Sequence, residues 1–251
     1  MLRMLNDQSQ RKTDRSFFET AQEGMRDWRA MMAQSEGKIG TPLQPQVVAA
    51  AFDRRLPQNA ILVLDSGQNT EMAARHSDLQ AGPAFSESGT LASMAFGLPY
   101  AIAAGLAFAG CPIFAVAGEF STAVRYQIPL KTLVLKNNML NQIAWEQMMF
   151  LGNPQFVCEL RPIDFAMAAE AMGGVSYSVS RTDEVESVLD AAFATEGPVM
   201  IEADLDAYEP MMRLKMSADY ARNFAKALRQ TPGRQSIKEN VAAEPLRSRM
   251  K

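Results

Sequence analysis

Two polar segments of this chain have the residue types and spacing for ligand chemistry. Asp65-Ser66-Gly67-Gln68-Asn69-Thr70 follows an apolar run and opens a helical stretch. A glycine-containing turn at that point offers backbone N–H groups and short polar side chains, which together can cradle an anion. The same letters also suit a helix N-cap after a tight turn. Lys136-Asn137-Asn138-Met139-Leu140-Asn141 follows a second apolar run. A side-chain amide oxygen and a backbone carbonyl two residues on are hard oxygen donors of the kind Mg2+ takes, in a shell it shares with phosphate oxygens. An Asn pair there equally serves as turn chemistry, because Asn tolerates left-handed backbone. Trp145, Glu146 and Gln147 either border a channel beside the second segment or make helix contacts. His76, the only histidine, has no triad partners and reads as a surface or packing residue beside Ala73 and Ala74.

These segments need elements to hold them. Helix Pro45 to Arg55 and strand Ala60 to Asp65 lead into the first. Strands Ile113 to Ala117, Thr132 to Leu135 and Val199 to Ala203 are continuous apolar runs without period-two alternation, as in strands covered on both faces. Helical stretches Glu119 to Tyr126, Ile163 to Met172 and Asp183 to Ala194 alternate with them. In the last, Thr182 is placed to cap, and Val185, Val188, Leu189 and Ala192 form one stripe. This alternation predicts an α/β fold, a doubly wound, mostly parallel sheet with helices on both faces and ligand-binding loops at its carboxyl edge. Residues 1–40 read as a polar arm, 41–215 as the compact domain, and 216–251 as an amphipathic helix from Met216 to Arg229 followed by a polar tail.

With 251 residues and a formal net charge of -3, the chain carries no basic field for nucleic acid. Two cysteines, Cys111 and Cys158, support neither a disulfide framework nor a thiolate metal cluster and suit a reducing cytoplasm. The uncharged stretch between Glu87 and Glu119 is long enough to cross a bilayer, but Gly97, Pro99, Gly105, Gly110 and Pro112 interrupt it. A buried helix Leu91 to Phe108, a turn at Ala109 to Pro112 and a buried strand account for the same residues.

Five segments in order resemble a known family: Pro42-Leu43-Gln44-Pro45-Gln46; Asp65 to Asn69; Ser88-Gly89-Thr90-Leu91-Ala92-Ser93-Met94-Ala95-Phe96-Gly97-Leu98-Pro99; Thr122 to Tyr126 with Pro129 and Lys131; and Asn137-Asn138 with Glu146-Gln147. Together they are similar to the diphosphate-binding C-terminal domain of thiamine-diphosphate enzymes of the pyruvate oxidase, quinone-dependent pyruvate dehydrogenase and acetolactate synthase type. The resemblance runs from about Arg11 to Arg229. It implies a diphosphate held by Ser66, Gly67, Gln68 and Asn69, with Gly118 on the neighbouring strand's loop. Ala92 and Met94 would lie beside the cofactor rings, with Met94 as the wedge that bends the cofactor. Mg2+ would take the Asn138 amide oxygen and the Leu140 carbonyl. Without these matches, Met94 is simply core packing on an apolar helix.

The chain departs from the family at one place. Members carry Gly-Asp-Gly after the strand corresponding to Ile113 to Ala117, whereas here Gly118-Glu119-Phe120 stands there, 19 positions before Asn137. That spacer is shorter by about eight residues, roughly two helical turns. Neutral oxygens alone hold Mg2+ weakly. Glu119 is the only nearby stand-in for the aspartate, but Phe120 replaces a residue without a Cβ. The resemblance further implies that the glutamate activating the cofactor belongs to a pyrimidine-binding domain, contributed across a homodimer or tetramer interface or by a separate chain. FAD belongs to a further domain of full-length relatives. The expectation is a thiamine-diphosphate-binding, Mg2+-linked domain for 2-oxoacid chemistry, truncated and inactive alone. A cofactor-free assembly module on the same fold is the alternative. Dinucleotide binding is set aside because no Gly-x-Gly-x-x-Gly follows the first strand.

Overall fold

The computed structural model describes residues 13–40, 42–77, 84–108, 111–115, 120–210 and 217–243. The chain begins with α1 (Ser16–Glu36), whose surface is largely exposed. Next comes α2 (Pro45–Asp53), opened by a proline whose missing N–H costs nothing in a first turn. Then β1 (Ile61–Val63), α3 (Gln68–His76), β2 (Ala84–Ser86), α4 (Gly97–Ala107), β3 (Ile113–Ala115) and α5 (Phe120–Arg125) follow. The second half contains β4 (Leu130–Lys136), α6 (Asn141–Glu146) running into a π-helical turn Gln147–Leu151, and α7 (Phe165–Ala171). It closes with β5 (Val175–Val179), α8 (Val185–Ala194), β6 (Val199–Asp204), α9 (Ala218–Leu228) and α10 (Arg234–Ala243).

The strands form one sheet in the order β2-β1-β3-β4-β6-β5, every neighbouring pair parallel. Alternate side chains go to opposite layers, and both layers are apolar over the central strands, which is why those strands lack period-two alternation. Phe114 packs with Val48, Phe52, Leu189 and Ile201 on one side, while Ile113 and Ala115 pack with Leu98, Phe120 and Leu130 on the other. Phe114 meets Phe52 edge-on at 5.7 Å and stacks on Phe193 at 5.3 Å. From β1 the chain passes first to β2 on one side and then back to β3 on the other. The loops at the carboxyl ends of β1 and β3 therefore flank the point where the winding reverses, which is where open parallel sheets bind ligands.

Several expectations change. The helix anticipated from Leu91 starts only at Gly97, and residues 88–96 are turns and bends. The Ser88 carbonyl accepts from Ala92 N at 2.9 Å as one helical turn would have it, but side chains then take the amides that would continue the helix: the Ser88 hydroxyl accepts from Ser93 N at 3.0 Å and Asp65 Oδ1 from Ala95 N at 2.9 Å. Nor is α4 buried all round, since Leu98, Ala101 and Ile102 are covered while Tyr100 and Leu106 face out. Thr182 does not cap α8. Its hydroxyl bonds Gly40, and Thr182–Glu184 forms a 3-10 turn ahead of the helix. The residues after Pro232 are not all tail, because α10 buries Ile237 against Trp145 and Met148. The strand ends 116–117, the turn residues 109–110 and the last tail residues 244–251 lie outside the described residues. No helix among the described residues is long and apolar enough to cross a membrane.

His76 is a packing residue, as its surroundings in sequence suggested. Its Nδ1 lies 2.8 Å from Glu36 Oε1 and joins α1 to α3. Burial pushes the imidazole below its ordinary pKa, against the opposing pull of the Glu36 carboxylate. At the amino end of β4, Lys131 is buried and donates to the carbonyls of Thr195 and, at 3.1 Å, Gly197. Among the described residues no carboxylate accompanies these contacts, and burial pushes the Lys131 ammonium down to about 8. The folded chain thus binds fewer protons than the unfolded one between about 8 and the unfolded lysine value near 10.4. The penalty for burying the charge is full below that window and fades as pH rises through it. Lys131→Met should therefore gain stability relative to the parent at pH 7, and the gain should shrink between pH 8 and 10 in urea unfolding curves; a difference independent of pH contradicts this.

Candidate functional site

The loop after β1 is built around Gly67. Its φ of 105° and ψ of −146° lie in a region reserved for glycine. A Cβ placed there would meet no atom within 4 Å. Gly67 therefore stays glycine for its backbone, and it keeps the space in front of the loop open. As N-cap of α3 it has no side chain to close the helix, and the first-turn N–H groups of α3 lack intrahelical partners. Aligned peptide dipoles make this end positive. Glu71 in the same turn is matched by Arg75 at 3.0 Å, which offsets its charge.

Side chains fix this loop to its neighbours. Asp65 Oδ1 accepts from Ser66 N at 2.8 Å and from Ala95 N at 2.9 Å, and Ser66 Oγ donates to Ser93 O at 2.9 Å. Thr70 Oγ1 returns to the Asp65 carbonyl at 2.8 Å. From the far side of β3, Asn137 Nδ2 donates to Gln68 Oε1 at 2.9 Å, bringing the loop after β4 against α3. Asn137 Oδ1 accepts from Met139 N at 3.1 Å, so both ends of that amide are engaged. Asn138 stands at φ 54° and its carbonyl accepts from Leu160 N, but no hydrogen bond engages its side-chain amide among the described residues. The Leu140 carbonyl accepts from Ala144 N at 3.0 Å. The two asparagines thus divide: Asn137 is structural, and Asn138 has oxygen to offer.

A cavity of about 630 Å3 opens in front of the first loop. Ser66, Gly67 and Ala92 line it, and so do Trp145 and Glu146 of α6. Trp145 also stacks on Phe224 with ring centroids 5.8 Å apart, so it is both cavity wall and helix contact. Gln147 turns away to bond both backbone groups of Phe156. Met94 is 70 % exposed and does not line the cavity, nor do Gln68, Asn69, Asn138 and Leu140. Gly118 and Glu119 fall outside the described residues.

Residues 65–203 match the family model described as the thiamine pyrophosphate enzyme, C-terminal TPP binding domain. The chain belongs to the thiamine pyrophosphate enzymes. It is 33% identical over 234 residues to the putative thiamine pyrophosphate-containing protein YdaP of Bacillus subtilis, covering 90% of this chain and 40% of that one. Identity to the pyruvate oxidase of Lactiplantibacillus plantarum is 28% over 212 residues, covering 80% and 35%. For acetolactate synthase isozyme 2 large subunit of Escherichia coli it is 29% over 200 residues, covering 73% and 36%. The chain thus spans about two fifths or less of these relatives' length. The fold matches that of the Rhodococcus jostii RHA1 thiamine diphosphate-dependent 4-hydroxybenzoylformate decarboxylase with a TM-score of 0.61 at 21% identity, over 67% of this chain and 34% of that one.

A diphosphate suits the geometry of the first loop. Among the described residues, the open space at Gly67 admits an anion to the α3 amides, and Gln68 Nε2 is buried with no hydrogen-bond partner. Reading the sequence alone missed that α3 continues the cavity wall beyond Thr70 through Glu71, Ala74 and Arg75. Their spacing from Gly67 was the available signal, because positions three, four, seven and eight along a helix share one face. Gly67→Ala should destabilise the protein by about 1–3 kcal/mol through φ strain alone; an unchanged urea midpoint would show that the loop does not need this conformation.

Proposed function

We propose that this domain binds thiamine diphosphate through Ser66, Gly67, Gln68 and Asn69, with Mg2+ carried by the Asn138 amide oxygen and the Leu140 carbonyl, for 2-oxoacid chemistry of the pyruvate type. The observation that carries this reading is the uncapped N-terminus of α3 behind Gly67, held against the Asn137-Asn138 loop by the Asn137–Gln68 hydrogen bond. When bound, the cofactor supplies a nucleophilic ring carbon that adds to the keto group. The residues of this chain do the holding. Amides at the helix end take phosphate oxygens, Ala92 bounds the ring side of the cavity, and Met94 is the residue that would wedge the cofactor once a covering surface turns it inward.

Mg2+ is the less secure half of the site. Among the described residues no group of three His, Cys, Asp or Glu side chains is placed to hold a metal ion; the two proposed ligands are neutral oxygens, and Glu119 is the candidate carboxylate. We infer weak metal coupling, together with dependence on a pyrimidine-binding domain for the activating glutamate. That domain would come across a homo-oligomer interface or from another chain, so the domain alone binds without turning substrate over. Flavin, where a relative uses it, belongs elsewhere.

Isothermal titration of thiamine diphosphate with and without Mg2+ tests the assignment. Binding should appear and tighten with the metal, and Asn138→Ala should abolish most of the tightening. Asn137→Ala, by contrast, should lower thermal stability. No heat under either condition would favour a cofactor-free assembly module on the same fold.

A further inference from the structure

Resting on the proposed assignment of Ser66–Asn69 to the diphosphate and of Ala92 and Met94 to the cofactor rings, we propose that Asp65 is a positioning residue that latches these two segments together. The segment 88–96 holds two non-glycine residues in left-handed backbone, Ala92 at φ 48° and Ala95 at φ 64°. Alanine resists that region, so each conformation persists only where neighbouring groups impose it. For Ala92 the imposing group is local, the Ser88 carbonyl. For Ala95 it is remote: the Asp65 carboxylate, buried at the end of β1, accepts the Ala95 amide at 2.9 Å. The same oxygen accepts the Ser66 amide at 2.8 Å. One atom thereby sets the separation of the diphosphate loop from the ring-side segment. Ser66 Oγ to Ser93 O is a second, neutral tie across the same gap.

The arrangement gives Asp65 a role distinct from touching cofactor. Its charge strengthens both bonds, because hydrogen bonds to an ionised acceptor are roughly twice as strong as neutral ones. It also places a negative group behind the loop, where it orients N–H groups without occupying the space in front of Gly67. Loss of the latch should let residues 93–95 relax toward ordinary backbone and withdraw Ala92 and Met94 from the cofactor.

Amide hydrogen exchange on the chain without cofactor provides the decisive readout. Asp65→Ala should accelerate exchange at Ala95 by about tenfold or more, and Asp65→Asn, which keeps an acceptor oxygen, should restore most of the protection. Adding Ala95→Gly to Asp65→Ala relieves the φ strain that the latch opposes and should recover part of any lost thiamine diphosphate affinity. A merely structural Asp65 would show no such coupling to residue 95. Unchanged Ala95 exchange in a folded Asp65→Ala protein overturns the latch, whatever the cofactor does. If that variant fails to fold, the Asp65→Ala, Ala95→Gly double variant takes its place, and exchange at residue 95 as slow there as in Ala95→Gly alone overturns the latch as well. Failure of the parent chain to bind cofactor would overturn the functional proposal while leaving the exchange result to decide on the latch.

Discussion

Everything at the carboxyl edge of this sheet depends on leaving one helix end uncapped. An α-helix starts with N–H groups that its own turns cannot satisfy, and most helices close that end with a Ser, Thr, Asp or Asn side chain. Here the N-cap is Gly67, in a backbone conformation only glycine adopts without strain, and the helix end faces open space. Such an end needs partners for its N–H groups, and an anion is one that fits. The fold keeps the requirement in place by putting α3 directly after β1, one of the two strands that flank the reversal of winding.

The parallel sheet delivers the remaining parts. Because β3 separates β1 from β4, the loop after β4 would stand a strand's width away from α3, and Asn137 spans that gap to Gln68. On the other side, the segment before α4 reaches back to Asp65 and Ser66. Deep burial of the strands makes their ends rigid. Glu202 shows the same economy at the neighbouring helix: its buried carboxylate takes the N–H groups of Phe165 and Ala166 at 2.6 and 3.3 Å and pairs with Lys136 at 2.8 Å. The N-terminus of α7 is thus filled from within the protein, whereas that of α3 is not.

The α/β class and four of the strands were readable because the central strands are covered on both faces, so Ile113–Ala115 and Val199–Ile201 stand out as hydrophobic runs without period-two alternation. β2 escaped notice because its three residues are short and partly exposed at an edge. β5 reads Val-Ser-Tyr-Ser-Val, whose polar alternation belongs to the opposite edge of the sheet. The helix anticipated from Leu91 failed because side chains claim its amides, which periodicity cannot see: the Ser88 hydroxyl takes that of Ser93, and Asp65, 30 positions earlier, takes that of Ala95. At the site, the two loops were legible as residue types, but the division of labour between Asn137 and Asn138 was not. It emerges only once Gln68 is known to lie within hydrogen-bond reach of one and not the other.

The most direct measurement is the response of individual backbone amides to ligand. In a 15N-resolved NMR titration with thiamine diphosphate and Mg2+, the account predicts the largest shifts at Gly67, Gln68, Asn69 and Thr70, followed by Asn138, with little change at the filled helix end formed by Phe165 and Ala166. Shifts centred away from the start of α3, or none at saturating ligand, would contradict the claim that this helix end is the seat of the diphosphate.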